Sequence, residues 1–226
     1  MALDPNCIEA LVGRANVDET IASALLTEDD PVPRLAAAEA TLNKALSLSP
    51  QHALAHLMLG VIQILTNRAT QGIAECERAL ALDRNLAHAH AWIGLAKMFI
   101  GRATETETHV LEALRLSPRD PHSYRWLLMI GGAKLNLNAD RDAVAWLRRS
   151  IETNRNIPLA QFWLAAALAR LGALDEAEAA ARAALALDPS FTIRRLRATV
   201  PSDNPTFLAG RERIYEGLRL AGVPEG

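Results

Sequence analysis

The residues best suited to metal chemistry are four histidines, His52, His56, His88 and His90. His52 and His56 stand four residues apart, so one face of a helix could present both to a zinc ion. A zinc site also needs a third ligand and groups that orient the imidazole rings, and no acidic or thiol residue stands at a matching spacing. The sequence therefore predicts no metal and no other cofactor.

Residue patterns typical of catalysis are missing from the sequence. It contains no GxSxG, no glycine-rich phosphate loop, no HExxH motif and no paired Cys and His at a recognisable spacing. The carboxylates cluster in DETIASALLTEDD and TETET, as solvated helix faces and helix caps do. No residue is predicted to be catalytic, and this chain is not expected to be an enzyme.

Composition favours helices that pack through small side chains. Half of the residues are hydrophobic but only 4% are aromatic, whereas sheet proteins use more aromatic and β-branched residues. A net charge of -2 gives no reason to expect a nucleic-acid partner. Cys7 and Cys76 are too few for a disulfide framework, and no apolar run is long enough for a membrane span. We therefore expect a cytoplasmic protein.

The element that must position any site is a helix–turn–helix unit, clearest at residues 158–191. Gly172 suits the left-handed end of the first helix, and Asp175 with Glu178 predicts a capping-box start for the second. The apolar residues of the second helix follow one stripe with a 3.6-residue period. A pair this small cannot bury its own stripe, so neighbours of the same kind are expected.

This unit ends in the segment LALDPS, and similar segments recur along the chain. The residue at the proline position of each segment is Pro5, Pro50, Arg84, Pro118, Arg155 and Pro189, and the spacings are 45, 34, 34, 37 and 34 residues. We predict an array over 1–191 with units at about 6–52, 53–86, 87–120, 121–157 and 158–191. We place the eleven extra residues of the first unit in a long helix from Cys7 to Leu26, followed by a break at 28–33. The three extra residues of the fourth unit are placed in the turn at 135–140.

Small residues recur at fixed positions in these units. The helix crossings hold Gly60, Gly94, Leu128 and Ala165, and the next column holds Ala38, Gly72, Thr106, Ala143 and Ala177. With the 34-residue period, these columns resemble the tetratricopeptide repeat family over roughly residues 6–191. The resemblance implies an all-α, right-handed α-solenoid that acts as a protein-interaction or regulatory scaffold. It also implies an apolar concave groove that binds a peptide or a partner helix.

In the family, the inner helices of successive units line the groove. We assign Trp92, Trp126 and Trp163 to one column, which is either core between inner helices or a stripe along the groove. Family members that bind the C-terminal carboxylate of a peptide use a cluster of Lys, Asn and Arg. Here Arg125 is the only residue of that cluster, so this class of ligand is disfavoured. The positions that the family pattern turns towards the groove are Leu54, Leu57, Val61, His88, Ala91, Leu95, Met98, His122, Arg125, Met129, Leu159, Phe162 and Ala166.

After the array, residues 192–226 are predicted to form a loop and a final helix that starts at Asn204-Pro205. We interpret this helix as a polar cap packed on the last unit. An amphipathic helix for a membrane or a partner is the alternative.

Two segments carry a narrower resemblance. EALVGRAN with LTEDDPVPRLAAAEATLNKALSLSP, and the tail from DPSFTIRRLR to GVPEG, resemble the C-terminal repeat region of bacterial class III adenylate/guanylate cyclases. This resemblance implies a non-catalytic regulatory part of a larger enzyme whose cyclase domain lies N-terminal to the repeats. The segment ALDPN at 2–6 copies the end of a unit, as in a chain excised from a longer protein or one with a natural N-terminal stub.

Self-association is a third interpretation. Residues 1–50 carry a net charge of -5 and residues 192–226 a net charge of +2, so a homodimer or open array could form head to tail.

Overall fold

The computed structural model describes residues 6–22 and 31–226, which form helices and their connections without a strand. The helices are α1 Ile8–Ala22, α2 Pro31–Leu48, α3 Ala53–Leu65, α4 Ala69–Leu82, α5 Ala87–Phe99, α6 Thr106–Leu116, α7 Ser123–Asn136, α8 Asp140–Thr153, α9 Pro158–Arg170, α10 Leu174–Leu187, α11 Ile193–Ala198 and α12 Pro205–Leu220. A short 3-10 turn, Ala103–Glu105, precedes α6. The predicted all-α solenoid is confirmed.

Five helical hairpins stack along the chain, α1 with α2 through α9 with α10, and each second helix packs against the first helix of the next hairpin. Glycine permits the close crossing within a hairpin. A Cβ on Gly60 would lie 2.8 Å from the carbonyl oxygen of Gly72, and one on Gly72 would lie 2.5 Å from that of Gly60. In the third hairpin the Thr106 hydroxyl donates to the Gly94 carbonyl at 2.8 Å. Small residues thus set the spacing of the helices.

The turns inside hairpins two to five have one length and one geometry. Each turn has three residues, and its middle residue adopts the left-handed conformation: Asn67 (φ 59°), Gly101 (82°), Asn138 (63°) and Gly172 (80°). These four positions are 34, 37 and 34 residues apart. Glycine and asparagine reach this conformation at the lowest steric cost, so their spacing marks the register of the units.

The prediction that three extra residues lie in the turn at 135–140 is wrong. The turn between α7 and α8 is as short as the others. Two of the three extra residues lie between α6 and α7, and the third lengthens α7 to 14 residues, where α5 and α9 have 13. That connection, Ser117–His122, has six residues, where the other connections between hairpins have four. The first helix of the fourth unit is therefore shifted by three residues relative to the predicted columns.

This shift changes the residue at the fourth crossing. Gly131, and not Leu128, faces the partner helix, since a Cβ on Gly131 would lie 2.6 Å from a methyl group of Leu147. It also separates the tryptophans. Met129 takes the position equivalent to Trp92 and Trp163, whereas Trp126 stands one turn earlier. The single tryptophan column is wrong for this unit.

Two local predictions for helix ends also differ from the structure. Residues 31–33 belong to the first turn of α2 and not to a break, because proline is compatible with a first helical turn. Helix α10 begins at Leu174 after Ala173, so Asp175 lies inside the helix instead of capping it. The predicted long first helix has α1 as its described part, and its end near Leu26 lies outside the described residues.

The C-terminal helix starts as predicted. The Asn204 side chain accepts hydrogen bonds from the backbone N–H groups of Thr206 and Phe207, and Pro205 occupies the first helical position. Helix α12 then packs against α9 and α7, which are first helices of their hairpins. The last chain residues return to α11, where Ile193 N–H donates to the Pro224 carbonyl at 3.0 Å. Within the described ranges, no helix is long and apolar enough to cross a membrane.

Candidate partner-binding surface

The predicted groove residues fall into three classes of exposure. Leu54 and His122 are exposed, and His88, Leu95, Arg125 and Met129 are half-buried. The other seven are buried: Leu57, Val61, Ala91, Met98, Leu159, Phe162 and Ala166. The inner face is therefore partly closed.

The C-terminal segment, residues 192–226, closes the inner face at the fifth unit. Phe162 stacks on Phe191 with ring centroids 3.7 Å apart and has no exposed surface. A Cβ on Gly217 would lie 2.6 Å from the carbonyl oxygen of Ala166, so α12 lies directly on the backbone of α9. Phe162 and Ala166 are consequently core residues and not groove residues.

The same segment reaches back as far as the third unit. Ser202 Oγ donates to the Phe99 carbonyl at 2.6 Å, and Asn204 Nδ2 donates to the Ile100 carbonyl at 3.2 Å. Phe207 packs edge-on against Phe99 with centroids 5.2 Å apart. On α7, Asn136 Nδ2 donates to the Phe207 carbonyl at 3.1 Å. The segment thus spans the C-terminal ends of α5 and α7 on its way to α9.

The burial of its side chains indicates that α12 is held firmly on the inner face. Phe207, Ile214, Tyr215 and Leu218 of α12 are each at most 2% exposed. Burying such a side chain contributes about 1.5–3 kcal/mol, so the four together hold the helix with about 6–12 kcal/mol. A competing ligand would have to bind that much more tightly than an ordinary peptide in order to displace α12. The part of the inner face beneath α12 is therefore covered in this structure.

What stays uncovered is the start of α3 at Leu54, part of the inner side of α5 and the first half of α7. We call this the open inner surface and define it by Leu54, His88, Trp92, Leu95, Arg125 and Met129. Each of these residues is exposed or half-buried. Trp92, Leu95 and Met129 provide apolar contact area, and Arg125 provides a positive charge.

The other two inner tryptophans belong to the core between neighbouring inner helices. Trp126 is 2% exposed and lies edge-on to His88 at 5.2 Å. Trp163 lies so close to α7 that a Cβ on Gly132 would meet its ring at 2.4 Å. Trp92, which is half-buried, is the one of the three inner-helix tryptophans with accessible surface for a partner.

The longer connection before α7 builds a small cluster of imidazoles beside this surface. Asp120 accepts from the His122 backbone N–H at 2.8 Å and from Ser117 Oγ at 3.2 Å. The His88 ring lies 5.9 Å from the His122 ring, and its Nδ1 is 3.9 Å from the Asp120 carboxylate. Burial lowers the pKa of His88, Asp120 opposes this shift, and the nearby His122 adds to it. The net effect on the pKa of His88 favours its neutral form.

The histidine pair with helical spacing serves the structure. His52 Nδ1 accepts from the Ala55 N–H and caps α3, while its Nε2 lies 3.1 Å from Glu9. His56 bridges Glu75 at 2.7 Å and the Pro50 carbonyl at 2.9 Å. In the part of the chain that the structure describes, no three His, Cys, Asp or Glu side chains are placed to hold a metal ion.

Two of the described half-buried arginines differ from the others in having no carboxylate partner. Arg68 forms a two-bond pair with Glu39, and Arg170 pairs with Asp140. Arg125 and Arg213 are half-buried too, yet among the described residues neither has a carboxylate within salt-bridge distance. Arg213 additionally has two guanidinium nitrogens shielded from solvent without an acceptor. Sequence reasoning found Arg125 but missed Arg213, whose position depends on how α12 lies on α7.

Similar structures share this fold. PilW, described as a widely conserved type IV pilus biogenesis factor, has a TM-score of 0.66 at 20% identity over 90% of either chain. A repeat protein of Thermus thermophilus, TTC0263, has a TM-score of 0.63 at 19% identity over 91% of this chain and 99% of its own. YrrB has a TM-score of 0.53 at 24% identity over 80% of this chain and 90% of its own. These likenesses show a common fold.

Sequence comparison identifies the family. No curated protein matches the chain. The tetratricopeptide repeat profile matches residues 34–87 and 129–190, which together are just over half of the chain. The matched ranges contain most of α2, all of α3 and α4, the second half of α7 and all of α8 to α10. The chain is a member of the tetratricopeptide repeat family.

Proposed function

We propose that the chain is a protein-interaction module that binds a peptide or a partner helix on its open inner surface. The observation that carries the proposal is the half-buried group of Trp92, Leu95 and Met129 beside Arg125, on the one part of the inner face that the C-terminal segment leaves free. Tetratricopeptide repeat proteins generally act as protein-interaction modules, which supports the proposal.

The residue types on this surface suit a binding site. Tryptophan and arginine are enriched among the residues that dominate binding energy, and methionine is enriched at interfaces. Truncating such a residue to alanine costs about 2 kcal/mol or more, which weakens affinity roughly 30-fold. YrrB, one of the similar structures, is described as a tetratricopeptide repeat protein with an unusual peptide-binding site, in line with this proposal.

A library selection tests the proposal even though the partner is unidentified. The chain would be panned against a phage-displayed library of random peptides, and the selected peptides would be measured against Trp92→Ala and against Leu111→Ala. Leu111 is a leucine on α6 that is 44% exposed and outside the open inner surface, so it serves as the matched control.

We expect Trp92→Ala to weaken the selected peptides roughly 30-fold and Leu111→Ala to change little. Circular dichroism melting would check that both variants fold. The proposal fails if folded Trp92→Ala binds every selected peptide as the parent does.

A second proposal concerns the larger protein. The two segments that resemble the C-terminal repeat region of class III adenylate/guanylate cyclases support a role as the regulatory, non-catalytic part of such an enzyme. An open reading frame that continues upstream into a cyclase domain would support this role. A stop codon immediately upstream of the coding region would reject it.

We also propose that the module works in the cytoplasm, on the basis of its two free cysteines, Cys7 and Cys76. Fluorescence of a tagged chain in a bacterial host would test this location, and signal confined to the cell envelope would reject it.

Head-to-tail self-association receives less support. The basic residues of the C-terminal segment are partly neutralised inside the chain, since Arg197 pairs with Glu212 at 2.9 Å and Arg219 with Glu225 at 2.8 Å. Light scattering at low salt tests this possibility, and a monomer under that condition rejects it.

A further inference from the structure

We propose that the open inner surface is a pH-sensitive binding site, on which protonation of the His88 imidazole weakens the binding of an apolar peptide or partner helix. This inference rests on the proposed function and adds a way in which that binding is regulated. Its support comes from the place of His88 on the surface, the groups around its ring and the cost of covering a charged imidazole.

His88 lies where a partner that packs on Trp92 would cover it. The two residues are four positions apart on α5, so they are neighbours on one face of the helix. The His88 side chain is 42% exposed, and an apolar segment on Trp92 would remove water from this exposed part. Burying a charged group without a new partner costs far more than burying a neutral polar one. Binding should therefore favour the neutral imidazole.

The groups around the His88 ring compensate its positive charge only in part. The ring stands edge-on to Trp126 at 5.2 Å and to His122 at 5.9 Å, measured between centroids. Among the described residues, Asp120 is the carboxylate within salt-bridge distance, at 3.9 Å, which is too long for a hydrogen bond. Asp120 already accepts from the His122 backbone N–H and from Ser117 Oγ. Burial lowers the pKa of His88 by more than Asp120 raises it.

The neighbouring inner helices add no negative charge at this level. Helix α7 carries Arg125 at the position equivalent to His88, and α3 carries the uncharged Leu54. Protonation of His88 therefore places a second positive charge on the surface that an apolar segment has to cover. This second charge raises the cost of covering the surface further.

The charged groups on the other elements beside α5 act on other residues. Those of α4, the 3-10 turn and α6 are Glu75 with His56, Glu77 and Glu105 near His109, Glu112 and Arg115 near His90, and Asp83 with the Asn85 backbone N–H. His88 is therefore the imidazole whose charge bears directly on the open inner surface.

Linkage gives the direction of the effect. A ligand that binds the neutral form of an imidazole more tightly lowers the pKa of that imidazole. The affinity of such a ligand is highest above the pKa of the free site and falls as the pH drops through it. A tenfold increase in the acidity of His88 on binding must appear as a tenfold weaker affinity in acid. The surface should therefore bind an apolar segment at neutral pH and release it in acid.

Calorimetry with a peptide that does not titrate tests the inference. Any Asp, Glu or His in a library-selected peptide would be replaced by Asn or Gln, and both ends of the peptide would be blocked. Binding to the full chain would be measured at about pH 7.5, 6 and 5, each in two buffers of different ionisation enthalpy. These titrations give the affinity and the number of protons released on binding. Circular dichroism would check that the chain stays folded at the lowest pH.

Two test variants and one control isolate His88. His88→Gln removes the titrating group. Asp120→Asn keeps an oxygen that can accept the His122 N–H but removes the charge that favours protonated His88. His109→Gln is the matched control, because His109 is also half-buried with a lowered pKa but lies on α6, stacked on His90 and outside the open inner surface.

We expect the peptide to bind about 10-fold more weakly at the lowest pH than at the highest, and to release protons on binding at about pH 6. His88→Gln should lose most of this dependence, His109→Gln should keep it, and Asp120→Asn should shift the loss of affinity to lower pH. An affinity that does not change with pH, tighter binding in acid, proton uptake or an unchanged dependence in His88→Gln overturns the inference. If His88→Gln does not fold, the proton release by the parent chain and the shift in Asp120→Asn decide the matter.

The inference and the proposed function can fail separately. If the selected peptides lose affinity in Trp92→Ala but bind the parent chain equally at every pH, the pH-sensitive site is rejected while the proposed function stands. If no selected peptide depends on Trp92, the proposed function fails and this inference fails with it.

Discussion

The contact of α12 with the inner face can be tested by the substitution Gly217→Ala, which adds one methyl group to α12. Gly217 lies in the interior of α12, where alanine would favour the helix by about 1 kcal/mol if nothing else changed. In the structure, the added Cβ would lie 2.6 Å from the carbonyl oxygen of Ala166. A backbone oxygen cannot turn aside as a flexible side chain can, so α12 must move away from α9. Overpacking of this kind costs about 1–3 kcal/mol.

Gly217→Ala should therefore lower the free energy of unfolding by up to about 2 kcal/mol after the gain in helix propensity is subtracted. Gly13→Ala is the matched control, because Gly13 also lies inside a helix but a Cβ there would meet no atom within 4 Å. We expect this variant to be stabilised by up to about 1 kcal/mol. Urea unfolding of both variants measures the two values. If Gly217→Ala is as stable as Gly13→Ala, α12 does not lie on α9 as described.

Three further predictions concern the core and the titrating groups. Phe162→Ala should lower the free energy of unfolding by about 3–5 kcal/mol in urea unfolding and leave peptide affinity unchanged, because its ring is wholly buried against the C-terminal segment. Burial raises the pKa of Cys76 to about 12, so a thiol reagent should modify exposed Cys7 in the native chain and Cys76 only after unfolding. Burial lowers the pKa of His90 and His109 below 6.5, so the unfolded chain binds more protons and the free energy of unfolding should fall as the pH drops below about 6.5. The double variant His90→Gln, His109→Gln should show a shallower fall in pH-dependent urea unfolding, and an unchanged slope would contradict this assignment.

The fold was predictable from the sequence because its determinants are local. The 34-residue spacing and the small residues at the helix crossings indicated the hairpins, and the stacking followed from the need to bury their apolar stripes. The Asn204-Pro205 start of α12 was predictable for the same reason, since a cap depends on neighbouring residues only.

The register of the fourth unit was not predicted correctly, although a signal for it is present. The prolines and arginines at the unit ends give only the length of each unit. They do not show where within a unit the extra residues lie. The left-handed residues Asn67, Gly101, Asn138 and Gly172 mark the turns directly, and their spacing places the insertion between Gly101 and Asn138. Asparagine is a weaker signal of a left-handed turn residue than glycine, so Asn67 and Asn138 were not used as markers. Placing the extra residues at 135–140 then assigned Trp126 to the wrong column.

The site was only partly predictable because its limits are set by long-range contacts. The family pattern placed Leu95, Arg125 and Met129 on the inner face, but it could not show that residues 192–226 return across three units. That return depends on contacts such as Ser202 with Phe99, which are about a hundred residues apart in the chain. The burial of Phe162 and the position of Arg213 follow from the same contacts.

Hydrogen–deuterium exchange with a selected peptide tests most directly whether the partner binds beside a permanent C-terminal helix. Exchange would be compared for the chain alone and for its complex with a library-selected peptide. We predict slower exchange in α3, α5 and the first half of α7, with α12 equally protected in both states. Slower exchange confined to the second helices of the hairpins, or faster exchange in α12, would contradict the account, because the peptide would then bind elsewhere or replace the helix.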